Sequence, residues 1–228
     1  MCFLCARAYN FTFILQMENY MQEDAIRWDK RHAQGFMPQE PSTILQTYTP
    51  LLRTYIERGR VSALDIACGN GRNAKFLAHM GFSVLGVDIS QVALDSLTNT
   101  ECIQTLCVDL DYFDIKEASY DVVLNFYFLD RRLFEGIKNG LKSGGIVIFE
   151  TFCAVPKIYD TEIFSQLPTH RSLKNGELER AFRGWKVLHN AYGTAYRSVC
   201  ESTTASHSTE SKHSQNVCLT QTFIAQKP

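Results

Sequence analysis

From Val61 onward the chain alternates short apolar runs with segments whose apolar positions recur at helical spacing: "VSALDIA", "NAKFLAHM", "FSVLGVD", "QVALDSLTN" and "CIQTLCVD". Apolar runs of this length, separated by amphipathic helices, are the signature of a parallel sheet wound by helices, whose strands are covered on both faces. Two further buried strands follow as "YDVVLNF" and "GGIVIFE", with the helical "RRLFEGIKNGL" between them and "KSGG" as a tight turn. Five parallel strands are predicted.

After Glu150 the rhythm breaks. "TFCAVPKIYDTEIFSQLPTHRSLKNG" holds two prolines and mixed polarity, and reads as a long functional loop ahead of a short helix, "ELERAF". "WKVLHNAYGTAYRSV" and "NVCLTQTFIAQ" then flank the polar "CESTTASHSTESKHSQ", which predicts a closing antiparallel pair. Upstream, a capped helix is expected to begin near Ser42 and end at Gly59. The pattern predicts an α/β, Rossmann-like fold: a seven-stranded, mostly parallel sheet with an antiparallel last strand and helices on both faces.

The length of 228 residues suits one domain. The expected arrangement is a peripheral extension over residues 1–20 and a single domain over 21–228. Within that domain, lid helices occupy 21–60, a ligand-binding core 61–152, and a substrate-side loop with the hairpin 153–228. A net charge of -1, with 45% hydrophobic and 21% charged residues, excludes the basic field that a nucleic-acid partner would need. The opening "MCFLCARAYNFTFILQ" is apolar but too short to span a bilayer, and its one basic residue, Arg7, is poorly placed for a signal peptide. No membrane association is expected. The cysteines at 2, 5, 68, 102, 107, 153, 200 and 218 follow no framework, which suits reduced thiols in a cytoplasmic protein. Cys2 and Cys5 lack a second pair to complete a metal site, and His207 and His213 sit in a polar connection, so no metal is assigned.

The chemistry concentrates in "LDIACGNGRNAKFLAHMGFSVLGVDIS". Asp65 stands near the carboxyl end of the first strand, and Gly69 and Gly71 turn the chain into the helix that starts near Arg72. Glycines let the backbone approach a ligand, and the following helix start presents free N–H groups. Asp88 closes the second strand, placed to accept hydrogen bonds from the ribose hydroxyls of an adenosine. "GNGRNA" also fits the dinucleotide pattern G-x-G-x-x-G/A, so the glycines leave a nicotinamide oxidoreductase open. Asp65 discriminates between them: a carboxylate beside the loop repels a pyrophosphate and attracts the ammonium of a methionine moiety. One carboxylate for an amine and one for a ribose describe S-adenosylmethionine.

The region from about Trp28 to Phe152 resembles the class I S-adenosylmethionine-dependent methyltransferases. With "GRN" after the loop, "WDKRH" upstream and "NFYFLDRRLFEGIKNGLKSGGIVIFETF" downstream, it looks most like their tellurite-resistance and thiopurine methyltransferase-like branch. The resemblance implies that Asp65, Gly69 and Gly71 line the methionine end of the cofactor, and that Ala67, Cys68, Arg72 and Asn73 also belong to the cofactor-binding residues. It further implies that Asp88 holds the ribose, Ile89 packs on the adenine, Asp109 receives the adenine amino group beside Leu110, and Asn125 lies near the amino-acid portion.

Local roles compete with these. Asp65 could cap its turn, Asp88 or Ser90 could cap the helix "QVALD", and Asp111 and Asp114 neighbour Asp109. Tyr112 and Lys116 mimic a short-chain dehydrogenase pair but come too early after the loop. Methyl transfer from a sulfonium needs alignment and exclusion of water, and a general base only for a neutral acceptor. No base is assigned; His32 and His170 read first as surface histidines. The run Asn125-Phe126-Tyr127-Phe128 lacks the two prolines that nucleic-acid amino methyltransferases carry there, which favours a small-molecule acceptor. Trp28, Tyr127, Arg131, Phe152 and Tyr159 are candidates for its pocket, with core packing the alternative for the aromatics. A cofactor-binding module without catalysis stays open.

Overall fold

The computed structural model describes residues 23–35, 37–155, 167–197 and 216–228. Its helices are α1 (residues 23–33), α2 (Thr43–Thr47), α3 (Thr49–Ile56), α4 (Arg72–Met80), α5 (Gln91–Asp95), α6 (Leu133–Gly140) and α7 (Glu177–Ala181). Its strands are β1 (Ser62–Ile66), β2 (Ser83–Asp88), β3 (Ile103–Cys107), β4 (Tyr120–Phe126), β5 (Leu141–Phe152), β6 (Lys186–Arg197) and β7 (Asn216–Gln226). They form a seven-stranded sheet in the order β3-β2-β1-β4-β5-β7-β6. β1, β2 and β3 pair in parallel, as do β4 and β5, while β7 runs antiparallel to both β5 and β6. This is the mixed sheet that the alternating sequence pattern predicts. The chain divides into two compact units after Ile115.

In the first unit, β1 and β2 are covered as their apolar letters require, with Leu64, Ile66 and Val87 fully buried. β3 departs from expectation: after the partly buried Ile103 its residues are exposed, because it forms the sheet's edge. The single helix predicted from Ser42 to Gly59 is two, broken at Tyr48 (φ -94°, ψ 16°). Pro50 explains the break, since it has no N–H to donate and its ring would strike the carbonyl of the residue four back. Ser42 makes no side-chain cap; its N–H donates to Asn73 Oδ1 at 2.9 Å. α5 stops at Asp95, earlier than "QVALDSLTN" suggested, where Ser96 Oγ donates back to the Ala93 carbonyl at 2.7 Å.

In the second unit, "KSGG" is part of β5 and not a turn. Gly144, at φ 76°, donates its N–H to the Lys227 carbonyl, and the Lys227 N–H donates to the Gly145 carbonyl. The register shift between Tyr120 and Val122 absorbs the mismatch as a bulge. A Cβ on Gly145 would stand 3.0 Å from two carbonyl oxygens, so glycine is required there. Phe149 and Phe223 face each other across β5 and β7. Phe182 packs on both at 5.7 and 6.0 Å, and Phe134 meets Phe149 edge-on at 5.9 Å. This aromatic layer is the unit's core.

Candidate functional site

β1 delivers the chain into a loop whose backbone winds repeatedly through the left-handed region: Ala67 at φ 53°, Gly69 at 54° and Gly71 at 67°. A non-glycine residue there costs about 1–2 kcal/mol, and such strain collects at ligand sites. Two hydrogen bonds fix the turn, from the Cys68 N–H to the Val87 carbonyl at 3.0 Å and from the Gly71 N–H to the Cys68 carbonyl at 2.9 Å. Gly71 could carry no side chain, because a Cβ would lie 2.3 Å from Leu97 Cδ2. A Cβ on Gly69 would come within 3.2 Å of His32 Cε1. The loop therefore sits between α1 and the segment after α5.

Asp88, at the end of β2, is buried and bridges the site. Its Oδ2 accepts from the Gly69 N–H at 2.7 Å and its Oδ1 from the Ser90 N–H at 2.9 Å. Each oxygen retains a lone pair for a further donor. Helix capping falls to Ser90, whose Oγ accepts from the Ala93 N–H, so Asp88 is free of that role.

Asp65 is the electrostatic centre. Only 1% exposed, it takes a hydrogen bond from the Ala74 N–H, while its Oδ2 has no partner among the described residues. Burial pushes its pKa up to about 7; the Asp88 carboxylate pushes the same way, against the Arg72 charge and the Ala74 amide. Cys68 is held far above the ordinary thiol range, first by burial and then by Asp65 and Asp88. Both groups thus resist negative charge. A pyrophosphate would add to that repulsion, whereas a cation would relieve it.

Sequence reasoning missed what lies over the loop. Asp29 on α1 accepts from Ser90 Oγ at 2.6 Å and from the Val92 N–H at 3.2 Å, tying the helix to the start of α5. One turn later His32, half-buried, occupies the space that a side chain on Gly69 would need; burial and the Arg31 charge hold its pKa below the ordinary value against the pull of Asp88 and Asp29. It is no plain surface histidine. The signal was the i, i+3 spacing in "WDKRH", which puts Asp29 and His32 on one helical face. Trp28 lies on the same helix, its ring 6.2 Å from His32 and 5.4 Å from the Arg31 guanidinium.

The strap that follows α1 is fastened by residues of the loop and of the first turn of α4. Asn70 Nδ2 donates to the Pro38 carbonyl at 2.9 Å, Arg72 Nη1 to the Glu40 carbonyl at 2.7 Å, and Asn73 Oδ1 receives the Ser42 N–H. The Arg72 and Asn73 side chains, attributed to the cofactor by resemblance, are thus engaged in holding this strap. On the other side of Asp88, Ile89 is partly buried and its carbonyl accepts from Cys107 Sγ at 3.5 Å. Leu110 is buried, and Asp109 Oδ1 caps its own turn by accepting the Asp111 N–H at 2.9 Å.

The remaining candidates belong to the second unit. Asn125 is fully buried near the end of β4, and neither Oδ1 nor Nδ2 has a partner among the described residues. Tyr127 takes a left-handed φ of 55°, donates from its hydroxyl to Glu150 Oε1 at 2.5 Å, and meets the Phe152 ring at a tilt, 5.3 Å between centroids. Arg131 is held by Glu177 in a two-pronged pair at 2.5 and 3.0 Å and donates to the Ser172 carbonyl. His170 is exposed. Tyr159, His207, His213, Cys2 and Cys5 lie outside the described residues. Among the described residues no cluster of His, Cys, Asp or Glu could hold a metal ion, and no helix is long and apolar enough to cross a membrane.

A parallel sheet, a left-handed glycine loop after its first strand and an acidic residue closing the second define a class, and the family comparison agrees. Residues 63–145 match the methyltransferase domain family. Over 136 residues it is 25% identical to the probable S-adenosyl-L-methionine-dependent methyltransferase TehB of Haemophilus influenzae, covering 55% of this chain and 46% of that protein. The match thus spans about half of that curated relative. The crystal structure of Haemophilus influenzae TehB superposes with a TM-score of 0.61 at 19% identity, over 79% of this chain and 62% of that one. A Burkholderia thailandensis 1,6-didemethyltoxoflavin-N1-methyltransferase, solved with 1,6-didemethyltoxoflavin and S-adenosylhomocysteine, superposes with a TM-score of 0.58 at 13% identity, over 93% and 89%. Both share the fold.

Proposed function

We propose that this protein binds S-adenosylmethionine on the loop between β1 and α4 and transfers its methyl group to a small-molecule acceptor. The observation that carries the reading is Asp65: a buried carboxyl with an unpartnered oxygen, raised in pKa by burial and by Asp88, beside a strained loop. An ammonium is the complement of that arrangement, and a second anion is not. The residues fit the cofactor: Asp65 and the loop for the amino-acid end, Asp88 for the ribose, and Ile89 and Leu110 for the adenine.

When bound, the cofactor supplies a methyl group already activated on a positively charged sulfur, which an in-line nucleophile displaces. The chain's task is then to orient the two partners and keep water out. α1, fastened through Asp29 and bringing His32 to the space beside Gly69, supports the second role. A small acceptor is favoured by the balanced charge and by the missing prolines after Asn125.

The test pairs binding with turnover. S-adenosylhomocysteine, and not NAD, is expected to raise the melting temperature. Release of S-adenosylhomocysteine is then followed against a panel of amines, thiols, phenols, selenite and tellurite. Stabilisation by NAD alone would refute the cofactor assignment; tight cofactor binding with no turnover on any acceptor would favour the non-catalytic module.

A further inference from the structure

Within the first unit, α1 brings one imidazole to the Asp88 end of the glycine loop. Asp29 sets the helix there: its Oδ1 accepts from Ser90 Oγ at 2.6 Å and from the Val92 N–H at 3.2 Å, while the Ser90 N–H donates to Asp88 Oδ1 at 2.9 Å. His32, three residues on, lies on the same helical face. Its Cε1 would stand 3.2 Å from a Cβ on Gly69, whose own N–H donates to Asp88 Oδ2. Of the charges that act on the imidazole, Asp88 acts most strongly. The Trp28 ring lies 6.2 Å from it on the same helix. Neither ring nitrogen of His32 has a hydrogen-bond partner among the described residues.

A ribose presents two vicinal hydroxyls, each with an O–H to donate and lone pairs to satisfy. The Asp88 carboxylate answers the O–H groups but has nothing to donate to the lone pairs. Neighbouring donors are taken: the Gly69 and Ser90 N–H groups by Asp88 itself, the Gly71 N–H by the Cys68 carbonyl, Ser90 Oγ by Asp29 and Cys107 Sγ by the Ile89 carbonyl. The His32 ring is open. Its charge state suits the task, because burial and the Arg31 charge outweigh Asp88 and Asp29 and leave it uncharged at neutral pH, with one N–H. A charged ring would pair with Asp88 and compete with the ribose for its oxygens.

We infer that His32 is a second ribose-binding residue, its imidazole N–H donating to a hydroxyl oxygen of the sugar whose O–H groups Asp88 accepts. This rests on the S-adenosylmethionine reading and deepens it. The sugar is recognised from two elements, β2 and α1, so the helix that lies over the loop also favours a ribose over a deoxyribose.

The test titrates the full-length protein by calorimetry at neutral pH with S-adenosylhomocysteine and its 2′-deoxy and 3′-deoxy analogues, in wild type and in His32→Ala. Affinity for S-adenosylhomocysteine is expected to fall about tenfold in the variant. Against the analogue that lacks the contacted hydroxyl, wild type and variant should bind alike, because the partner is then missing from both. A residue that merely props up the loop would weaken all three ligands equally; that result, or unchanged affinity for S-adenosylhomocysteine, would overturn the assignment. Diethyl pyrocarbonate labelling of the wild-type protein, read peptide by peptide, tests the same point should the variant not fold. His32 is expected to react in the free protein and to be protected by S-adenosylhomocysteine; a ring unreactive when free, or equally reactive in both states, would overturn it. Failure of the wild type to bind any of the three ligands would remove the cofactor reading and this inference with it, whereas the other adverse results, with S-adenosylhomocysteine bound, remove His32 alone.

Discussion

Replacing Asp65 by asparagine tests the electrostatics at the glycine loop most directly. The wild-type carboxyl is fully buried and its pKa is raised from 3.8 to about 7, by burial first and by Asp88 second. Between those values the unfolded chain has released the proton and the folded chain still holds it, so the folded state binds more protons. By linkage, stability then falls as pH rises, at about 1.4 kcal/mol per pH unit from this group. The contribution is intact below about pH 4, is lost progressively up to about pH 7, and is flat beyond, for a total of about 4 kcal/mol. The asparagine side chain cannot ionise. Its amide introduces a constant offset, but the stability difference between variant and wild type should widen in favour of the variant between about pH 4 and about pH 7.

Urea denaturation of the ligand-free proteins at half-unit pH intervals measures that slope. Calorimetry supplies the complement: if an ammonium ionises Asp65, wild-type S-adenosylhomocysteine binding at about pH 6 releases close to one proton, visible as a heat that depends on the buffer. The release should vanish near pH 8.5, roughly a unit and a half above the raised pKa, and be absent in the variant, whose affinity should also drop. Parallel pH profiles for the two proteins, or identical proton release, would refute the assignment of charge to this carboxyl. The other ionisable groups near the loop include Asp88, Arg72, Cys68, His32 and Asp29. All remain in the variant, so the difference isolates Asp65.

Two further outcomes follow from geometry. Asp88→Ala removes the acceptor of the Gly69 and Ser90 N–H groups as well as the proposed ribose contact. Cofactor affinity should fall by about 1–3 kcal/mol, and unchanged affinity in calorimetry would remove Asp88 from the site. Gly71→Ala must fit a methyl group 2.3 Å from Leu97 at a φ of 67°. Overpacking and left-handed strain together should destabilise the protein by roughly 2–4 kcal/mol, read as a lower urea midpoint; a midpoint equal to wild type would show that the loop relaxes.

Much of this protein was legible in its sequence because the determinants are local. Strands β1, β2, β4 and β7 and helix α4 follow from runs of apolar residues and their spacing, and the turn into α4 follows from Gly69 and Gly71. Asp65 and Asp88 could be singled out because their distances along the chain from that turn are fixed by strand and helix lengths. Errors arose where a local signal was overridden. "KSGG" has the composition of a turn, but it lies at a bulge opposite β4, and its glycines exchange backbone hydrogen bonds with Lys227, at the far end of the chain. Pro50 broke a helix whose apolar spacing runs on past it, and β3 is apolar in letters yet exposed because the topology leaves it at an edge.

The sequence by itself determined the fold class, the loop and the pair of carboxylates. Tertiary structure decided what those residues experience. It laid His32 and Asp29 over a loop more than thirty residues away, turned Arg72 and Asn73 to the strap, and sealed Asp65 until its pKa approaches neutrality. The physical reason is range. Backbone preference and hydrophobic period are fixed by neighbours in the chain, whereas burial, charge coupling and unmet hydrogen bonds depend on groups that only folding brings together.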